Sequence, residues 1–316
     1  MKLFFTVVLM LLCATGFAQN VYYLKFDGRY VKDRDSADYT RVVSAPDSAS
    51  KLYNVAEFYL NGKPKLTGKS STTNPCVFEG ACVGFYANGN KATALNYEHG
   101  ILKGMQYYFY PNGKAYQVDS YPDGDNSTGP SYDRRLINAE YDSLGTAIVI
   151  GGNGYYKGYD DKFKEVIEEG NLKGGKKDGL WKGGYPEIHF TEKYENGNFI
   201  SGVSVSQPGD TVKYNIRESE PQFKGGIQAF YKYLGKNIIY PKYEKLHNIQ
   251  GRVIVLFIIE KDGKVSDVKI LNSVSENIDN EAVRVIRNSP DWIAGVQYGR
   301  NVRVEYTVPL SFTLSN

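Results

Sequence analysis

The sequence predicts a mainly β chain that ends in an α+β unit, and three observations carry that prediction. First, Tyr- and Phe-rich runs recur, each closed by Asn-Gly: Phe58-Tyr59 before Asn61-Gly62, Phe85-Tyr86 before Asn88-Gly89, and Tyr108 to Tyr110 before Asn112-Gly113. Second, Val253 to Ile259 is an unbroken, β-branched apolar run ended by Lys261-Asp262-Gly263. Third, apolar residues at helical spacing stand on both sides of that run. The expected fold is an N-terminal array of antiparallel β-hairpins, then a small α+β domain with a three-stranded antiparallel sheet and two helices.

At 316 residues the chain has room for two domains, and its net charge of +3 is near neutral, which argues against a nucleic-acid partner. Residues 1–18 join one basic residue, an apolar stretch and small residues at Gly16 and Ala18. They read as a secretory signal peptide cut after Ala18, which places the rest of the chain in the cell envelope. As a membrane anchor the run is too short, since a spanning helix needs about 20 apolar residues. Lipid attachment at Cys13 is disfavoured by the large Leu12 before it.

After that cut only Cys76 and Cys82 remain, flanking "VFEGA", which reads as a tiny hairpin turning at Glu79-Gly80. An oxidising compartment favours a Cys76–Cys82 disulfide; two buried free thiols are the alternative. Without a nearby histidine the pair does not fill a zinc shell, so no metal site is expected.

Residues 19–205 form the repeat region, with a period in the low twenties. Asn-Gly suits a type I′ turn, in which both residues take positive φ. The abundant aromatics, among them most of the 27 tyrosines, fit either of two roles. One is a ligand-binding face; the other is cross-strand packing that replaces a deep core in a thin sheet. Residues 206–221 are polar, contain two prolines and read as a linker.

Residues 222–316 form the second domain. In "GGIQAFYKYLGKNIIYP", Ile227, Phe230, Leu234 and Ile238 fall at helical spacing and Pro241 ends the run. Val253 to Ile259 reads as a strand covered on both faces, and Asp262-Gly263 turns it back into "KVSDVKIL". Ile278, Ala282, Val285 and Ile286 share one helical face, with Asp279 near the start and Ser289-Pro290 as the stop. "NVRVEYTVPLSFTL" alternates as a final strand.

No catalytic constellation is expected, nor any cofactor. His99, His189 and His247 lie in separate units without a partnered nucleophile or carboxylate motif. Asp123-Gly124-Asp125-Asn126 lacks the closing glutamate of a calcium loop.

Tyr240-Pro241, the run Ile249 to Leu271, the helix with Ala282 and Val285, Trp292 and Gly295, and "VRVEYTVPLSF" agree in order and spacing with one family. Residues 222–316 resemble the C-terminal domain of TonB-family proteins. "GNLKGGKKDGLWKGG", Gly170 to Gly184, resembles MORN-type repeats of the bacterial antitoxin-like kind, and the other repeats follow it loosely.

The first resemblance implies a periplasmic protein that grips an extended segment, the TonB box, of an outer-membrane TonB-dependent transporter by strand addition. It implies peptide-binding residues along the last strand, Val302, Arg303, Val304, Glu305, Tyr306 and Thr307, with Arg303, Glu305 and Thr307 on one face. It adds Asn237, Ile238 and Ile239, which precede the Tyr-Pro pair, and Tyr240 of that pair. In the family an inner-membrane helix and a long proline-rich spacer connect this domain to an inner-membrane motor complex, and neither is evident in the sequence. Two further readings stand beside this one. One is a secreted or periplasmic repeat scaffold without an energy-transducing role, its last strand serving a homodimer. The other is a toxin-neutralising binder.

Overall fold

The structure, a computed structural model, describes residues 19–122, 134–207 and 209–314. The signal peptide and the Asp123–Asn126 segment lie outside the described residues. The chain divides into two compact units: one runs to Tyr156 and adds Asn171–Lys176, the other joins Lys157–Gly170 to the chain from Lys177 on.

The first unit is an antiparallel meander. Strands Gln19–Leu24, Tyr39–Ser44, Tyr53–Tyr59, Pro64–Ser70, Phe78–Phe85 and Lys91–Glu98 pair each with the next. Gly104–Phe109, Ala115–Tyr121, Leu136–Tyr141 and Ala147–Ile150 continue the ladder. The hairpin array expected from the Asn-Gly periodicity is therefore present.

Its turns are of two kinds, and the one at Asn61, Asn88 and Asn112 differs from the expected type I′. Only the glycines there have positive φ, at 80°, 97° and 86° for Gly62, Gly89 and Gly113. Tyr59, Tyr86 and Tyr110 N–H groups reach over to the carbonyls of Lys63, Asn90 and Lys114. This is a three-residue loop with glycine in the left-handed position. Each asparagine side-chain oxygen accepts the N–H two residues on, at 3.0 Å. That bond holds the asparagine in an ordinary conformation. At His99-Gly100 and Gly151-Gly152, by contrast, both residues have positive φ, as they do at Asn196-Gly197 in the second unit.

The same asparagines and tyrosines tie one repeat to the next. Tyr59, Tyr86 and Tyr110 hydroxyls donate to the carbonyls of Phe85, Phe109 and Tyr141, at 2.8, 2.6 and 2.9 Å. Asn88 and Asn112 amides donate to Pro111 and Ser143 carbonyls. These bonds, each reaching the following turn, are what the aromatic periodicity provides in the structure.

The interior of this unit is partly ionic. Glu57 is 2% exposed and meets Arg41 and Lys65, each at 2.6 Å. Lys65 also sits 4.0 Å from the centre of the Tyr39 ring. A buried carboxylate needs such partners, because unpaired it would cost several kcal/mol, on the order of 3–5.

The cysteines are a correction. Cys76 and Cys82 are free thiols. Phe78–Phe85 is one strand with a bulge beside Gly80, so the chain runs on rather than folding back at Glu79-Gly80. Cys76 sits before that strand with its thiol on the Thr73 carbonyl, while Cys82 is buried within it.

In the second unit, Lys176–Tyr185, Ile188–Glu195, Asn198–Ser206 and Thr211–Tyr214 pair in sequence. Trp181 is fully buried, and its ring lies so close over Gly170 that a Cβ there would fall 2.5 Å from it. Within the expected linker, Thr211–Tyr214 extends the repeat sheet and Glu218–Ser219 pairs with Gly295–Gln297.

The C-terminal sheet has the order Val265–Asn272, Gly251–Ile259, Val304–Phe312. Helices Gly226–Asn237 and Glu276–Arg287, with a short turn of helix at Lys242–Leu246, complete the domain. Its core joins Phe230 and Leu234 from the first helix to Ile278, Ala282, Val285 and Ile286 from the last. Between them lie Val253, Val255, Phe257 and Ile259, all at 0% exposure. On the opposite face Ile258 is buried, but Ile254 and Leu256 are only half-buried. The central strand is thus covered by helices on one face, not on both as its uniform apolarity predicts. Ser275 caps the last helix, accepting the Ile278 N–H.

Candidate functional site

A sheet can accept an added strand only where main-chain donors and acceptors are open, so the edges define the candidate site. Val304–Phe312 pairs with Gly251–Ile259 on one side and, among the described residues, with nothing on the other. Its register runs without a break from Val304 opposite Ile259 to Phe312 opposite Gly251.

Pro309, opposite Ile254, sets the orientation of that edge. Proline has no N–H to give, so on a sheet edge it occupies a position whose donor would face outward. Main-chain groups alternate along an antiparallel ladder. Glu305, Thr307 and Ser311, which share the parity of Pro309, therefore turn their N–H and C=O to the open side. Tyr306, Val308 and Leu310 turn theirs to the central strand.

Side chains alternate as well. Glu305 and Thr307 are exposed, while the Tyr306 ring packs against Phe257 and Trp292, at 5.7 and 5.3 Å between centres. The expected final strand is broken near its start. Val302 belongs to a separate hairpin, Arg300–Val302 opposite Gly295–Gln297. Arg303 is the joint between the two strands. Its guanidinium binds Glu260 at 3.0 Å and Asp267 at 2.6 Å. The Ser266 hydroxyl and Arg303 together hold the Glu260 carboxyl below its usual range. Arg303 is thus committed to the central hairpin.

Asn237 ends the first helix, and the chain leaves it through an extended Ile238. Ile238 packs on the core, whereas Ile239 is 68% exposed. The Ile239 N–H donates to Glu281 Oε1 at 2.6 Å, and Arg284 donates to the Asn237 carbonyl at 2.6 Å. Glu281 and Arg284 also bind each other, at 2.7 Å. Tyr240 donates its hydroxyl to the Ile249 carbonyl and sets its ring against Phe312, 6.0 Å between centres. Phe312 lies beyond the predicted residues of the last strand, so Tyr240 meets that strand at its far end and not at Val302 to Thr307.

The pinning pair Glu281 and Arg284 is not legible in the sequence, since a Glu and an Arg three apart on a helix look like ordinary surface charges. Pro309 was visible in the sequence and already carried the edge orientation.

Residues 236–314 match the family model described as the Gram-negative bacterial TonB protein C-terminal. Two solution structures of Helicobacter pylori TonB-CTD are similar to this chain at 21% identity. One, of residues 179-285, is covered to 81% by 28% of this chain, with a TM-score of 0.23. The other, of residues 194-285, is covered to 95% by 28% of this chain, with a TM-score of 0.24. No curated protein matches the chain.

Proposed function

We propose that this chain is a TonB-like periplasmic protein that binds the extended TonB-box segment of an outer-membrane transporter by strand addition. The open edge of Val304–Phe312 is the observation that carries the reading, because that edge lies inside the segment matching the family. The incoming segment pairs with the outward main-chain groups of Glu305 and Thr307, and the exposed Ile239 flanks its path. Coupling to an inner-membrane motor complex, and through it to transport, follows from the same family reading. A homodimer through the same strand is the competing use of the edge.

The test compares Thr307→Pro with Thr307→Ala in the chain without its first 18 residues, titrated with an extended transporter N-terminal peptide. Main-chain recognition makes proline the damaging change, by tenfold or more (about 1.4 kcal/mol), with alanine nearly neutral. Amide shifts that avoid both 304–312 and 237–240, or equal losses in the two variants, would remove strand addition as the mode.

A further inference from the structure

Between Gln222 and Gln250 the chain carries five lysines and one carboxylate. The lysines, Lys224, Lys232, Lys236, Lys242 and Lys245, are all exposed. Among the described residues none of them forms an ion pair. The carboxylate, Glu244, is 2% exposed and bound by Ser275 and Asn277, each at 2.9 Å. Every charge this stretch shows to solvent is therefore positive.

Large apolar side chains stand among those lysines. Leu246 is 83% exposed and Tyr243 57%, and their three-residue spacing on the Lys242–Leu246 turn brings them to one side. Lys242 and Lys245 have the same spacing. Neither Tyr243 nor Leu246 belongs to the domain core.

We propose that this face docks on an anionic lipid surface. Lysine on a flexible stem, with tyrosine and leucine beside it, suits the headgroup boundary: the ammonium meets lipid phosphate and the apolar part enters the acyl edge. An acidic polymer would satisfy the lysines and leave Leu246 in water, so the exposed apolar side chains favour the bilayer. This surface is separate from strand addition at Val304–Phe312, and either can hold without the other.

The experiment is co-sedimentation of the chain lacking residues 1–18 with phosphatidylcholine vesicles, with and without phosphatidylglycerol. Removing the leader matters because its apolar run would itself enter lipid. The chain should sediment with the anionic vesicles only, and high salt should release it. Lys236→Gln with Lys242→Gln and Lys245→Gln should lower partitioning roughly fivefold per lysine, on the order of a hundredfold together. Tyr243→Ser with Leu246→Ser should lower it as well, at unchanged charge. Lys261→Gln with Lys269→Gln, on the central hairpin, should leave it unchanged. All variants should keep the parent circular-dichroism spectrum. No binding to anionic vesicles overturns the proposal. So does equal loss in the Lys261/Lys269 variant, or a serine pair that binds like the parent, which would point to an acidic polymer instead.

Discussion

The Tyr298 ring lies flat on Phe190, 4.7 Å between centres and 11° between planes. Phe190 belongs to the last repeats and Tyr298 to the turn of the small hairpin Gly295–Val302. Around the stack, the Tyr298 N–H donates to the Arg217 carbonyl and the Tyr298 carbonyl accepts from Ser204. Arg217 in turn binds Glu192, fully buried, which also accepts the hydroxyls of Tyr194 and Tyr214. Arg300, two residues past Tyr298, binds Asp210. The hairpin is a plug in the end of the repeat sheet.

Tyr298→Ala should therefore loosen the second unit, by about 3 kcal/mol, near the low end for deleting a buried aromatic ring. A urea titration followed by far-ultraviolet circular dichroism measures it, and an unchanged midpoint would deny the plug any weight. A fragment of residues 222–316 retains its core from Phe223 to Phe312 but loses Phe190, Tyr214 and Arg217. It should fold, with the amides of Gly295–Val302 exchanging faster than in the full chain.

The two faces of the central strand predict different tolerances. Val255→Asp puts an unpaired charge into the helix-covered core and should abolish folding, at a cost of several kcal/mol, roughly 3–5. Leu256→Asp, on the half-open face, should cost less than half as much. Equal loss at both positions would mean that something covers the second face in solution.

The edge strand offers a similar contrast. Thr307→Pro removes an outward N–H and should barely change the unfolding midpoint, as Pro309 already shows by its place in the strand. Tyr306→Pro removes an inward donor and should destabilise by about 3 kcal/mol. Reversed effects would mean that the parity is opposite.

The two turn types can be told apart by substitution. Asn196 has φ 50°, so Asn196→Gly relieves a left-handed residue and should be neutral or slightly stabilising. Asn112→Gly removes its bonds to Lys114 and Ser143 and should cost about 1–2 kcal/mol. Matching effects at the two sites would contradict the distinction.

Burial raises the Cys82 thiol to about 11. Its native pKa exceeds the unfolded value, so the stability it contributes is whole below about pH 9 and is lost as pH rises toward 11. Burial also raises the Tyr97 hydroxyl, to about 12, which extends the loss in the same direction. Alkaline unfolding should begin in this window, and Cys82→Ala should flatten its first part. In non-reducing denaturant both Cys76 and Cys82 should react with a thiol reagent; finding neither reactive would restore the disulfide.

The sequence was most legible where pattern and burial share a cause. Ile278, Ala282, Val285 and Ile286 were placed on one helical face by spacing, and all four are at 0% exposure. Ile227 was placed on the core face of the first helix and is 48% exposed. At the first turn of that helix spacing alone cannot say where the neighbouring core stops. Uniform apolarity from Val253 to Ile259 could not show that one face stays half-open, because periodicity reports what alternates. Asn-Gly signalled a turn at each site but not its type. Val302 and Arg303 were assigned to the edge because alternation continues through them, and the switch to a second sheet leaves no mark on hydrophobicity.

The tyrosine bonds between repeats end on main-chain carbonyls, which every residue possesses. Their sequence spans differ, at 26, 23 and 31 residues. A unit from one turn to the next can thus be gained, lost or lengthened by gene duplication or deletion without any matching change of side chain in its neighbour. Repeat number in such a chain is free to drift while the C-terminal domain stays fixed, so relatives should differ most in how many hairpins precede Tyr298's partner Phe190.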